Sequence, residues 1–151
     1  MTKRYFVLVV LSLAVVLGAI IMAKAKVLAF IDLPSVAVVV APAVLMGFAA
    51  HSPRQIGRSY RVAFQSQRAS REELGEAVAY FDGLALYVAC GGGIGVTTGV
   101  VAMLLVLQDV ASIGRGLALC LISALYAVLL IALVVVPFRT AIKRRLAALA
   151  G

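Results

Sequence analysis

The 151 residues are 64% hydrophobic, with a mean hydropathy of +1.13 and a formal net charge of +8. That balance excludes an ordinary water-soluble core and points to one membrane domain, 1–151. The positive charge suggests nucleic acid until its placement along the chain is followed.

Four uncharged apolar runs occupy 5–23, 33–50, 83–108 and 116–138. At ~1.5 Å per residue, about 18 residues cross a hydrocarbon layer of ~30 Å, so each run is long enough to be a transmembrane helix. The fold class is therefore all-α, with four spans.

The first run follows a short basic flank, Lys3-Arg4, as a signal peptide would. It exceeds a usual signal core, and no small-x-small cleavage site precedes Lys24 and Lys26, so a retained span is expected. Asp32-Leu33-Pro34-Ser35 marks the turn into span two, with Pro34 suited to a first helical turn. Pro42, inside that span, predicts a bend near 38–42.

Residues 51–82 form a cytoplasmic segment. Ser52-Pro53 reads as a helix stop and restart, with His51 at the membrane interface facing solvent or head groups. Over 54–66, Ile56, Tyr60, Ala63 and Phe64 share one face with arginines elsewhere, the pattern of a short amphipathic helix. Ser70-Arg71-Glu72-Glu73 fits a capping box, with Ser70 as N-cap and Glu73 at N3. Leu74, Ala77, Val78 and Phe81 continue at helical spacing with no break at Gly83. Helix three is thus expected to run from near 71, through the membrane, to about 107. That is about 37 residues or ~55 Å. Arg58, Arg61, Glu72, Glu73 and Glu76 are the candidate cytoplasmic contact residues.

Asp109 to Gly114 is expected to form the outer turn. Span four then leads past Pro137 to a basic tail, 139–151. Gly91, Gly95 and Gly99 in span three lie four residues apart on one face, with Gly92 and Gly93 beside them. Such a face lets another backbone approach closely, within the chain or in a second copy. Thr97 and Thr98, with Ser123 and Tyr126 one turn apart on helix four, form a thin polar strip. Cys90 and Cys120 lie inside spans without metal-ligand spacing, as buried free thiols.

No Asp, Glu, Lys, Arg or His lies inside any of the four runs. An intramembrane carrier of protons or ions ordinarily needs such a group, so this chain alone is not a complete relay. No nucleophile–base or metal cluster lies in the spans, so no enzyme is read here and no cofactor or metal is implied. The basic residues fall in three groups: Lys3 and Arg4; Arg54 to Arg71; and Arg139 to Arg145. Four crossings put all three on one side, leaving Lys24, Lys26 and Arg115 on the other. That asymmetry places both termini in the cytoplasm. It accounts for the charge through topology and anionic lipids, without nucleic acid.

The ordered set of motifs resembles the MotA/TolQ/ExbB proton-channel family, closest to the MotA branch. Phe30-Ile31-Asp32-Leu33-Pro34-Ser35 looks like its entry to span two. Gly92-Gly93-Ile94-Gly95-Val96-Thr97-Thr98-Gly99-Val100 resembles its glycine-rich third span, with Leu104 to Gln108 at the outer end. Gly114-Arg115-Gly116-Leu117-Ala118-Leu119 is similar to its entry to span four. Ser123-Ala124-Leu125-Tyr126-Ala127 resembles its Thr-Thr-Leu-Tyr-Gly stretch, and Pro137 sits where that span ends in proline.

The resemblance implies a homopentamer in a bacterial inner membrane. The ring surrounds a single-span partner of the MotB, TolR or ExbD kind, whose aspartate carries H+ or Na+. It implies Thr97, Thr98, Ser123 and Tyr126 as the ion-path lining, and Gly91, Gly95 and Gly99 as packing and oligomerisation residues. The sequence departs from the pattern at Ala89, where the family has proline. It departs again at Val96 and Ala124, where the family has threonine and this chain has its hydroxyl one residue, or ~100° of helix, away, at Thr97 and Ser123. The cytoplasmic segment, about 30 residues, is also much shorter than in flagellar stators. A non-conducting scaffold of the same architecture and a small four-span exporter are the alternative readings.

Overall fold

A computed structural model describes residues 2–22, 30–65, 69–105 and 110–149. It is all-helical: α1 (Thr2–Met22), α2 (Leu33–Ala50), α3 (Pro53–Gln65), α4 (Arg71–Leu104), α5 (Val110–Leu130) and α6 (Val136–Ala148), with a π-helical turn, Ile131–Val135, joining the last two. Leu33–Ala50, Arg71–Leu104 and the continuous stretch Ala111–Ala148 are long and apolar enough to cross a membrane. The expected four spans are therefore matched by three such helices among the described residues, and α1 contributes a shorter apolar stretch, Val7–Met22.

The chain divides into two compact units, Met1–Leu33 and Pro34–Gly151. In the first, α1 exposes Val7, Leu8, Leu11, Val15 and Ile21. A helix apolar on every side suits lipid or a protein partner rather than water. Its one polar group inside the apolar stretch, the Ser12 hydroxyl, donates to the Leu8 carbonyl at 2.8 Å.

In the second unit, α2 turns Ser35, Val39, Ala43 and Gly47 inward at four-residue spacing. Pro42 lies inside α2 without ending it. Val39 and Ala43 join Val88 and Ala127 in a core cluster, bordered by Tyr87, Tyr126 and Leu130. Leu45, Phe48, Leu86, Leu121 and Val128 remain exposed. In water so much exposed apolar surface would drive association, whereas hydrocarbon solvates it.

The helix starts follow their capping residues. Ser70 accepts from the Glu73 N–H at 3.2 Å, and the Glu73 carboxylate accepts from the Ser70 N–H at 3.0 Å. The capping box thus forms as expected. α4 runs unbroken from Arg71 through Gly75 and Gly83 to Leu104, a helix of 34 residues. The last part of the expected extent, 106–108, lies outside the described residues, as does Asp109. α3 begins on a second box: the Gln55 side chain accepts from the Ser52 N–H at 2.9 Å, while the Ser52 hydroxyl accepts from the Gln55 N–H at 3.3 Å. Pro53 occupies the first turn, where its missing donor costs nothing.

The last helix corrects the expectation at its start. Residues 110–114 are helical rather than an outer turn, and the basic tail is helical to Ala148. Pro137 does not end the helix. A proline inside a regular helix removes one hydrogen bond and crowds the preceding turn. Here the preceding turn widens to π geometry, and the Val136 N–H reaches back to the Ile131 carbonyl. Beyond it, buried Phe138, Ala141 and Ile142 hold the tail against the rest of the unit.

Candidate functional site

The glycine face of α4 is used within the chain. A Cβ added at Gly91 would lie 2.6 Å from the Val39 carbonyl oxygen of α2. At Gly95 it would lie 2.6 Å from the Ser123 side chain, and at Gly99 2.6 Å from Cys120 Sγ, both on α5. Gly92 meets Ala127 in the same way, at 2.5 Å. One face of α4 therefore carries α2 at Gly91 and α5 at Gly92, Gly95 and Gly99. Gly93 points elsewhere, with nothing within 4 Å of an added Cβ. The Cys120 thiol, buried beside Gly99, donates to the Val96 carbonyl of α4 at 3.2 Å. Cys90 is exposed on α4 rather than buried as expected.

The polar strip divides. Ser123 is 2% exposed. With Thr98, Ser35 and Gly95 it lines a cavity of about 90 Å³ between α2, α4 and α5. The cavity is half-open, and its accessible lining is almost wholly apolar. Thr97 is exposed, and its hydroxyl donates to the Gly93 carbonyl of its own helix at 2.8 Å. Tyr126 packs beside the Val39 core cluster. Thr98 and Ser123 thus meet at one cavity, and Thr97 and Tyr126 lie elsewhere.

A second constellation lies where the apolar stretches end. Asp82 of α4 pairs with Arg139 of α6, and Lys143 lies 3.6 Å from its other oxygen. All three side chains are about half-buried. Around this group, Tyr60 of α3 packs edge-on against Tyr80, Phe81 and Phe138, with ring centroids 5.4 to 6.1 Å apart. Phe81 stacks on Phe138 at 5.6 Å. The Arg145 guanidinium donates to the Val62 carbonyl at 2.9 Å, tying α6 to α3. Burial, helped by the hydrogen bond with Tyr60, pushes the Tyr80 phenol well above its ordinary range. His51 is partly buried rather than freely solvated: its ring packs edge-on against Tyr80 at 5.3 Å, and its Nδ1 is buried.

Of the candidate cytoplasmic contacts, Arg58 and Glu76 approach to 4.0 Å with half-exposed side chains. Glu73 is engaged in the α4 cap. Arg61 and Glu72 are exposed. The Asp82–Arg139–Lys143 group was not anticipated from the sequence. Its signal was a carboxylate one residue before span three, opposite two cations spaced by one turn just after span four. Among the described residues no cluster of His, Cys, Asp or Glu could hold a metal ion.

Compared with models of known protein families and with curated proteins, the chain matches none.

Proposed function

We propose that this chain is the ring-forming subunit of a stator complex of the MotA/TolQ/ExbB kind, driven by a proton or sodium motive force. Five copies surround a single-span partner of the MotB, TolR or ExbD type, and the partner's aspartate carries the ion. The assembly belongs in a bacterial inner membrane. α1 serves as the fourth crossing, so both termini are cytoplasmic.

The observation that carries this reading is the joining of a charge-free interior to a locked cytoplasmic base. Every Asp, Glu, Lys, Arg and His of α4 and of the α5–α6 helix, apart from Arg115, lies at or beyond the Asp82–Arg139 pair. Both helices continue past it, to Arg71 and Ala148. Two long helices fixed to each other at the membrane edge are suited to passing force between membrane and cytoplasm. The missing carboxylate is what a partner has to supply, because a charge in hydrocarbon is costly and a lone chain of this composition holds none there.

A non-conducting scaffold of the same plan is the second reading. Burial of Ser123 within the chain and the back-bonded Thr97 hydroxyl favour it. Proton uptake into liposomes separates the two readings. The purified chain alone should give no flux above empty vesicles, and the conducting complex should give flux that depends on the partner's carboxylate. Flux from the chain alone would refute the proposed division of labour.

A further inference from the structure

Only two residues separate the end of α2 from the start of α3, so α3 begins at the membrane boundary. The level of that boundary is fixed by three neighbours. His51, just past α2, touches Tyr80; Asp82 is the charge of α4 nearest its apolar stretch; and Arg139 is the first on α6. A helix plunging along α4 would carry its end far from this level, because each residue adds ~1.5 Å. α3 does not do so. Tyr60, seven residues past Pro53, still contacts Tyr80, Phe81 and Phe138. Phe64, near its end, lies 4.9 Å from Phe138, the residue before Arg139. α3 therefore runs along the boundary.

Its two faces differ sharply. Ser59, Val62 and Ala63 are buried. Arg54, Arg58 and Arg61, spaced by four and three residues, are exposed on the other side with Phe64, which is 45% exposed. The helix has no acidic residue. Glu76 of α4 lies 4.0 Å from Arg58. An in-plane helix with arginines and an exposed aromatic along one side is the arrangement that holds anionic head groups, since the alkyl stems lie along apolar surface while the guanidinium groups reach phosphate.

We propose that α3 lies in the head-group layer and that Arg54, Arg58 and Arg61 bind the phosphates of anionic phospholipids. The assignment rests on the membrane placement of the chain alone, not on its role in an ion-driven complex, so either can fail without the other.

Native mass spectrometry of the full chain, with phosphatidylglycerol or phosphatidylcholine added to the detergent, tests it. The expected result is several-fold greater retention of phosphatidylglycerol. R54Q/R58Q/R61Q should reduce that preference to about onefold, while R4Q/R71Q/R144Q, an equal charge loss outside α3, should keep it. An unchanged preference in the α3 variant would overturn the proposal. So would unchanged lipid retention combined with loss of a co-purifying protein, which would make the stripe a protein contact. A second measurement leaves the arginines intact. A spin label at Gly57→Cys, where an added Cβ meets nothing within 4 Å, is placed in a C90A/C120A background in nanodiscs. Depth measurements should put it in the head-group layer; full accessibility to aqueous relaxant would refute the placement.

Discussion

Gly91 of α4 and Val39 of α2 meet backbone to backbone: a Cβ at position 91 would sit 2.6 Å from the Val39 carbonyl oxygen and 3.0 Å from its Cα. Neither atom belongs to a side chain that could turn away. Gly91→Ala should therefore force α2 and α4 apart and destabilise the chain by about 1–3 kcal/mol, the range for overpacking a tight contact. Gly93→Ala, on the same helix, meets open space and should be neutral or stabilising by up to ~1 kcal/mol through helix propensity. Thermal unfolding in mild detergent, followed by circular dichroism, compares the two. Equal effects would mean that α2 does not rest on Gly91.

Asp82 sits between two cations, so its removal leaves like charges facing each other. Asp82→Asn should destabilise the base by about 1 kcal/mol, a modest effect because the three side chains are roughly two-fifths exposed and screened by solvent. A double-mutant cycle with Arg139→Gln should show positive coupling that shrinks in 1 M salt, where the screening length falls to ~3 Å. Zero coupling at low salt would show that the pair does not join α4 to α6.

Much of this architecture was legible in the sequence. The Ser70–Glu73 box and the spacing of Leu74, Ala77 and Phe81 set the start and continuity of α4, because capping and periodicity are local properties. Ser52-Pro53-Arg54-Gln55 carried a second box that a reading of Pro53 as a simple restart passed over. The fate of Pro137 was not legible. Whether a proline ends a helix or is absorbed by a π turn depends on what holds the residues beyond it, here Phe138 and Ile142. The glycine pattern announced close approach but not the approaching element, since Gly91 and Gly95 differ only in which neighbour the tertiary arrangement brings. The polar strip was read from position along the helices, whereas a one-residue step in azimuth puts Thr98, itself exposed, at the edge of the cavity and Thr97 away from it.

Tyr80 should give the protein an alkaline weakness. Burial and the Tyr60 hydrogen bond raise its folded pKa above the unfolded value of about 10. The stabilisation is therefore complete below about pH 10, and it is lost as pH rises from there toward the folded pKa. Unfolding midpoints measured between pH 8 and 11.5 should fall above pH 10 in the parent chain, and less steeply in Tyr80→Phe. Parallel curves for the two would assign the alkaline loss to other groups.

The mass of the particle released from its native membrane by mild detergent decides the proposed role most directly. Native mass spectrometry should show five copies of this chain together with a single-span protein bearing an aspartate near one end of its apolar run. Monomers or dimers alone, under conditions that keep bound lipid, would contradict the ring and with it the proposed stator function.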